Sequence, residues 1–134
     1  YGAALSGAQM SIATPKEFQP DKSVVKVSQN LTGIELTTDP LKAAKNADVV
    51  VTDTYSSIHN VDPKRMKKFL PKYQVNDRIM GIADENAIFL HCLPAKREQE
   101  VTSSVIDGPQ SLVWDEAENR LHTQKALLCA LLHA

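Results

Sequence analysis

Short apolar runs alternate with polar, capped stretches along the chain, and this alternation predicts repeated strand–helix units. Met10-Ser11-Ile12-Ala13 reads as a strand closed by the turn Thr14-Pro15. Asp21 is placed to cap a helix over residues 23–29, and Gly33 ends that stretch before a second strand, Ile34-Glu35-Leu36-Thr37. Asp39-Pro40 and Asp62-Pro63 share one signal, a carboxylate cap followed by proline at the first helical position. The first predicts a helix to about Asn46, and the second a basic helix to Phe69 that Pro71 stops. Between them, Asp48-Val49-Val50-Val51-Thr52 is β-branched almost throughout, the composition of a parallel strand buried on both faces.

After Asp53 the pattern breaks, and residues 54–61 read as a polar loop. Asn76 caps a predicted helix to Ala83, and Ala87-Ile88-Phe89-Leu90 is the fourth strand. Thr102 opens a short helix that Asp107-Gly108-Pro109 ends, and Ser111-Leu112-Val113-Trp114 reads as a last strand. Asp115 with Glu118 resembles a capping box for a final helix reaching His133. Its second half, residues 126–132, is apolar nearly all round, which predicts a packed helix. Such an order implies right-handed crossovers in a doubly wound parallel α/β sheet with helices on both faces, a Rossmann-like layer. Tyr1 to Ala8 begins without methionine and reads as the tail of a small-residue helix, so the chain is expected to start within a domain.

With 134 residues, 43% hydrophobic and 23% charged, the chain has the make-up of one ordinary globular domain. Its 15 basic and 16 acidic residues leave a net charge of −1, which argues against nucleic acid as the main partner. No apolar run is long enough to span a membrane and no secretion leader is seen, so the expected compartment is cytoplasmic. Two cysteines, Cys92 and Cys129, are too few for a disulfide framework. No G-x-G-x-x-G follows any strand, which weakens a dinucleotide-dependent dehydrogenase reading.

In a parallel sheet the strand C-termini share one side, where open α/β folds hold ligands. Asp53, Cys92 and Arg120 fall at or near such ends. Asp53 suits a cationic amine, and its plainer reading is a turn or cap aspartate. Cys92 suits a proton acceptor or a ligand-orienting thiol, with a nearby guanidinium favouring thiolate; otherwise it is a buried small hydrophobe, the reading that fits Cys129. Arg120 can fork hydrogen bonds to carbonyl or phosphate oxygen, or pair with Glu116 at i,i+4 on a helix surface. His91 reads as a packed, hydrogen-bonded strand residue facing away from Cys92. His59 and the run Lys64-Arg65-Met66-Lys67-Lys68 read as a solvated face, and the four histidines lack metal-ligand spacing.

Taken together, Phe89-Leu90-His91-Cys92-Leu93-Pro94-Ala95-Lys96-Arg97, Val105-Ile106-Asp107-Gly108-Pro109-Gln110-Ser111 and Ala117-Glu118-Asn119-Arg120 resemble ornithine carbamoyltransferase. The likeness extends back through Thr52-Asp53 to Ile12-Ala13-Thr14-Pro15 and covers the chain in order. It implies that residues 1–134 are a partial ornithine-binding domain, lacking its first strand and without the carbamoyl-phosphate domain. The activity implied is carbamoyl transfer from carbamoyl phosphate to the side-chain amine of L-ornithine, giving citrulline and phosphate. No cofactor or metal is implied, and the family's full-length form implies a homotrimer in arginine biosynthesis.

By the same resemblance Asp53 matches the aspartate on the ornithine side-chain amine. Ser57 and Ile58 match the ornithine-contacting loop, Cys92 and Leu93 the active-site cysteine and its neighbour, and Arg120 the arginine on carbamoyl phosphate. The loop departs from the family's S-M-G, with Ile58 for methionine and His59 for glycine, and a histidine meets a steric cost where glycine's backbone angles are needed. That departure favours a rival, a non-catalytic transcarbamylase-like binding module. A second rival is a transcarbamylase for another diamine such as putrescine, which Asp53 also accommodates.

Overall fold

The structure, a computed structural model, describes residues 1–56 and 62–133. The chain opens on helix α1 (Gly2–Leu5) and strand β1 (Met10–Ala13), followed by a 3-10 turn at Lys16–Phe18 and helix α2 (Lys22–Gln29). Then come β2 (Ile34–Thr37), α3 (Pro40–Ala44), β3 (Val49–Thr52), α4 (Pro63–Phe69), α5 (Asp77–Met80), β4 (Ile88–His91), α6 (Ser103–Ile106) and α7 (Val113–Leu132).

Polar caps set most helix starts. Asp21, Asp39 and Asp62 each accept backbone N–H groups of their first turns, and Asn76 accepts from Ile79 N–H at 3.2 Å. The helix behind Asn76 is shorter than its sequence predicts, a single turn ending at Met80. Gly108 ends α6, and a Cβ there would lie 2.5 Å from the Ser104 carbonyl oxygen, so only glycine fits.

All strand pairing is parallel, as the strand–helix alternation predicts. β1 pairs with β2 and β3 with β4, so the sheet comes in two halves. Between them runs a cleft of about 410 Å³ walled by β1 on one side and β3 on the other. The cleft separates the two strand pairs, which are not hydrogen-bonded to each other. That gap also explains a departure at β3. Val49 and Val51, expected to be buried on both faces, are 43% and 59% exposed because β3 has a neighbour only on its β4 side.

The main core lies under β3 and β4, where Val50, Val75, Ile79, Phe89, Val101 and Val113 pack together. A smaller aromatic cluster, Tyr55, Phe69 and Tyr73, sits beside it, with Tyr55 stacked on Phe69 at 4.5 Å between ring centroids. The buried Tyr55 hydroxyl donates to the Tyr73 carbonyl, and burial pushes its pKa up to about 12.

The C-terminal segment differs most from the sequence reading. The expected strand over residues 111–114 is a single bridge, Ser111 against Phe89, after which the chain turns straight into α7. Val113, fully buried, is the first helical residue, because the core under β4 takes its side chain. Leu112 stands at the cap position with no side-chain cap bond, and Asp115 and Glu116 fall in the first turn. The expected capping box at Asp115 and Glu118 is therefore not the helix start. Nor is the apolar second half packed: Leu127, Leu128, Leu131 and Leu132 are exposed, and Cys129 with them. α7 leaves the core after its start on β4, so no described element covers that half.

Candidate active site

The register of β3 on β4 builds the site. Thr52 lies opposite His91, so the next residue on each strand, Asp53 and Cys92, emerge side by side at the carboxyl edge. Asp53 Oδ1 accepts from Thr54 N–H at 2.6 Å, which turns the carboxylate across the strand end. The Cys92 thiol stands beside this carboxylate. Acceptor atoms of Asp53, His91 and Cys92 all lie within 4.8 Å of one another.

The electrostatics correct the sequence reading of Cys92. Burial of its inner side pushes the thiol pKa up, and the hydrogen bond and negative charge of Asp53, then the charge of Glu116, push it further in the same direction. These influences favour the thiol form of Cys92 over the thiolate that a neighbouring guanidinium would favour. Alkylation by iodoacetamide should be slow near pH 7 and rise only above the range of an ordinary thiol. Asp53→Asn should move that profile to lower pH; an unchanged profile would mean that Asp53 does not govern the thiol.

His91 is fully buried and hydrogen-bonded, as expected, but it does not face away from Cys92: a ring nitrogen lies within 4.8 Å of the Cys92 sulfur. Its Nδ1 accepts from Leu93 N–H at 2.9 Å, and its Nε2 faces Glu100 Oε1 at 3.2 Å. That pattern places the proton of the neutral ring on Nε2. Glu100, also fully buried, accepts Lys96 N–H on the same oxygen at 2.6 Å. Leu93 takes φ of +49°, a left-handed angle unusual for a branched residue, and its N–H bond to His91 holds it there. The pair thus anchors the turn that presents Cys92. It also bears on metal binding. The spacing of Asp53, His91 and Cys92 would suit an ion, but both imidazole nitrogens are already committed to hydrogen bonds with Leu93 and Glu100.

Among the sequence-predicted residues, the structure brings Asp53 and Cys92 together, with Leu93 next to them and packed against the core. Arg120 is exposed about two turns into α7, and among the described residues no hydrogen bond or ion pair joins it to Asp53, Cys92 or Glu116. Ser57 and Ile58 lie outside the described residues. Sequence reasoning missed Glu100 and Glu116. Glu100 sits in the polar run Lys96-Arg97-Glu98-Gln99-Glu100, where nothing marks one glutamate as buried. Glu116 lies in the first turn of α7, and its Oε2 is shielded without a partner among the described residues.

Residues 1–131 match the family described as aspartate/ornithine carbamoyltransferase, Asp/Orn binding domain. An ornithine carbamoyltransferase of Cenarchaeum symbiosum is 60% identical over 131 residues, covering 98% of this chain and 44% of that protein. One from Corynebacterium diphtheriae is 50% identical over 138 residues, covering 98% and 43%. Among solved structures, the anabolic ornithine carbamoyltransferase of Campylobacter jejuni superposes with a TM-score of 0.90 at 33% identity, covering 98% of this chain and 45% of that one. The Pyrococcus furiosus enzyme gives 0.86 at 46% identity, covering 95% and 42%. This chain spans less than half the length of these relatives.

Proposed function

Because the chain belongs to the aspartate/ornithine carbamoyltransferase family, as a match to its Asp/Orn-binding domain, we propose that it forms the amine-binding half of an ornithine carbamoyltransferase. The reaction is transfer of the carbamoyl group of carbamoyl phosphate to the side-chain nitrogen of L-ornithine, yielding citrulline and phosphate. The observation that carries this reading is the placement of Asp53 beside Cys92, within 4.8 Å, at the carboxyl edge of two parallel strands.

A carboxylate there holds the side-chain ammonium of ornithine, and the thiol beside it fixes the direction from which the nitrogen approaches. The nitrogen must shed a proton before its lone pair can attack the carbamoyl carbon, and Asp53 is the group placed to accept it. Attack gives a tetrahedral centre whose oxygen gains negative charge, and collapse expels phosphate. Arg120 is assigned to that oxygen or to the phosphate, a task suited to a fork of N–H donors. Ser57, Ile58 and Leu93 are assigned to the ornithine side of the pocket. An acidic amino acid as acceptor would meet repulsion from Asp53.

Carbamoyl phosphate is assigned to a second domain, within the part of the relatives' length that residues 1–134 do not span. Two surfaces support a partner segment: the open cleft between β1 and β3, and the exposed leucines of α7. The assembled enzyme is proposed to be a cytoplasmic homotrimer serving arginine biosynthesis. Among the described residues no helix is long and apolar enough to cross a membrane.

A citrulline assay decides the matter. The intact protein should form citrulline from L-ornithine and carbamoyl phosphate, while residues 1–134 alone should not. Strong turnover by the 134-residue chain would show that the phosphate site has been assigned to the wrong place.

A further inference from the structure

Tyr55 follows Asp53 by two residues on the chain leaving β3. Between them stands Thr54, whose N–H bonds the Asp53 carboxylate at 2.6 Å, so a backbone shift at Tyr55 passes directly to that carboxylate. The buried Tyr55 ring lies nearly parallel to that of Phe69 on α4, at 18° and 4.5 Å between centroids. Stacking leaves a ring free to slide in its own plane. The Tyr55 hydroxyl removes that freedom by donating to the Tyr73 carbonyl, 18 residues away in sequence.

Tyr73 opens a short segment to which the other side of the site is also fastened. Val75 N–H donates to the Glu100 carbonyl at 2.9 Å, and Gln74 Nε2 donates to the Gln99 carbonyl at 3.0 Å. The Glu100 carboxylate holds His91, and His91 Nδ1 accepts the N–H of Leu93, the residue after Cys92. The segment is itself braced, since the Tyr73 hydroxyl donates to the Thr38 carbonyl at 2.9 Å, just past β2. Residues 73–75 are thus a common reference. Asp53 is tied to it through Tyr55, and Cys92 through Glu100 and His91.

We propose that Tyr55 is a positioning residue for the transfer reaction, its hydroxyl setting where the Asp53 carboxylate stands relative to Cys92. The inference rests on the proposed transferase reading and adds to it a residue that touches no substrate. Packing alone does not account for the hydroxyl. Phenylalanine would fill the same space, and a buried phenol is costly unless its hydrogen bond is made. Here that bond ends on the segment that also carries the hold on Cys92.

Tyr55→Phe in the intact protein tests it, because the ring on Phe69 is kept and one oxygen is lost. The kcat/KM for L-ornithine should fall by about tenfold or more, since small misplacements of a reacting group are felt strongly, while the KM for carbamoyl phosphate stays unchanged. Alkylation of Cys92 by iodoacetamide, followed in a Cys129→Ser background, should move to lower pH, part of the way to the Asp53→Asn profile. That second readout needs no turnover, and a loss of stability alone would not move it. An unchanged alkylation profile would overturn the assignment, as would unchanged kinetics of the folded fraction or an equal loss for carbamoyl phosphate. Failure of Tyr55→Phe to fold would also overturn it, by making the hydroxyl a requirement of the fold. Wild-type protein that forms no citrulline would instead overturn the transferase reading, and the alkylation profile would then judge by itself whether Tyr55 places Asp53.

Discussion

Asp53→Asn in the intact protein should lower kcat/KM for L-ornithine by about a thousandfold while leaving the fold in place, since a positioned proton acceptor alone contributes about 10²–10⁴-fold. The carboxamide is isosteric but removes the charge proposed to hold the ammonium and the acceptor proposed to take its proton. Both KM and kcat should move, because the lost group acts in binding and in deprotonation. The backbone around it should survive, as the register of β3 on β4 and the buried Val50 do not depend on an exposed side chain. Circular dichroism of the variant should match the parent while citrulline formation collapses. Retention of more than a tenth of the activity would show that the amine is held elsewhere.

Glu100→Ala should destabilise the protein by about 3 kcal/mol, because two donors, the buried His91 Nε2–H and the half-buried Lys96 N–H, lose their acceptor together. Glu100 is fully enclosed, and Val75 N–H also bonds its backbone carbonyl at 2.9 Å, so the segment cannot swing out to let water repair the loss. Glu100→Gln keeps one acceptor oxygen and should lose clearly less. The measurement is urea unfolding of the intact protein, in which the midpoint should fall with an unchanged slope. Activity should fall with stability, since His91 holds the left-handed Leu93 and with it the turn that presents Cys92. An alanine variant as stable as the parent would mean that the turn is fixed by the core packing of Leu93 and Ala95 alone.

Both results turn on residues that differ in how visible they are before folding. Asp53 stands out because a polar residue ends a β-branched run and a loop, not a helix, follows. Cys92 stands out because it follows an apolar strand and precedes a turn proline. Parallel pairing then brings the two together, so the essential contact of the site is legible once the strands are recognised. The helix caps are legible for a similar reason: the orphan N–H groups of a helix start are met by side chains one to three residues away. Asp21, Asp39, Asp62 and Asn76 all act where the sequence puts them.

By contrast, Glu100 looks like any other charged residue in a polar run. What distinguishes it is neighbours brought by the fold, His91 and the core. The end of α7 misleads in the opposite direction. Its leucines announce burial, yet they find no surface among the described residues, because composition states a need for cover without supplying it.

The sequence by itself determined the parallel strand–helix order, the caps, and the placement of a carboxylate and a thiol at strand ends, since each depends on interactions within a few residues or on the fixed alternation of a strand. Only the tertiary structure decided that the surroundings of the thiol raise its pKa, that the sheet opens into two pairs around a cleft, and that Glu100 is buried while the second half of α7 is bare. Those properties follow from which distant segments exclude water from a given group, and desolvation is a property of the packed whole.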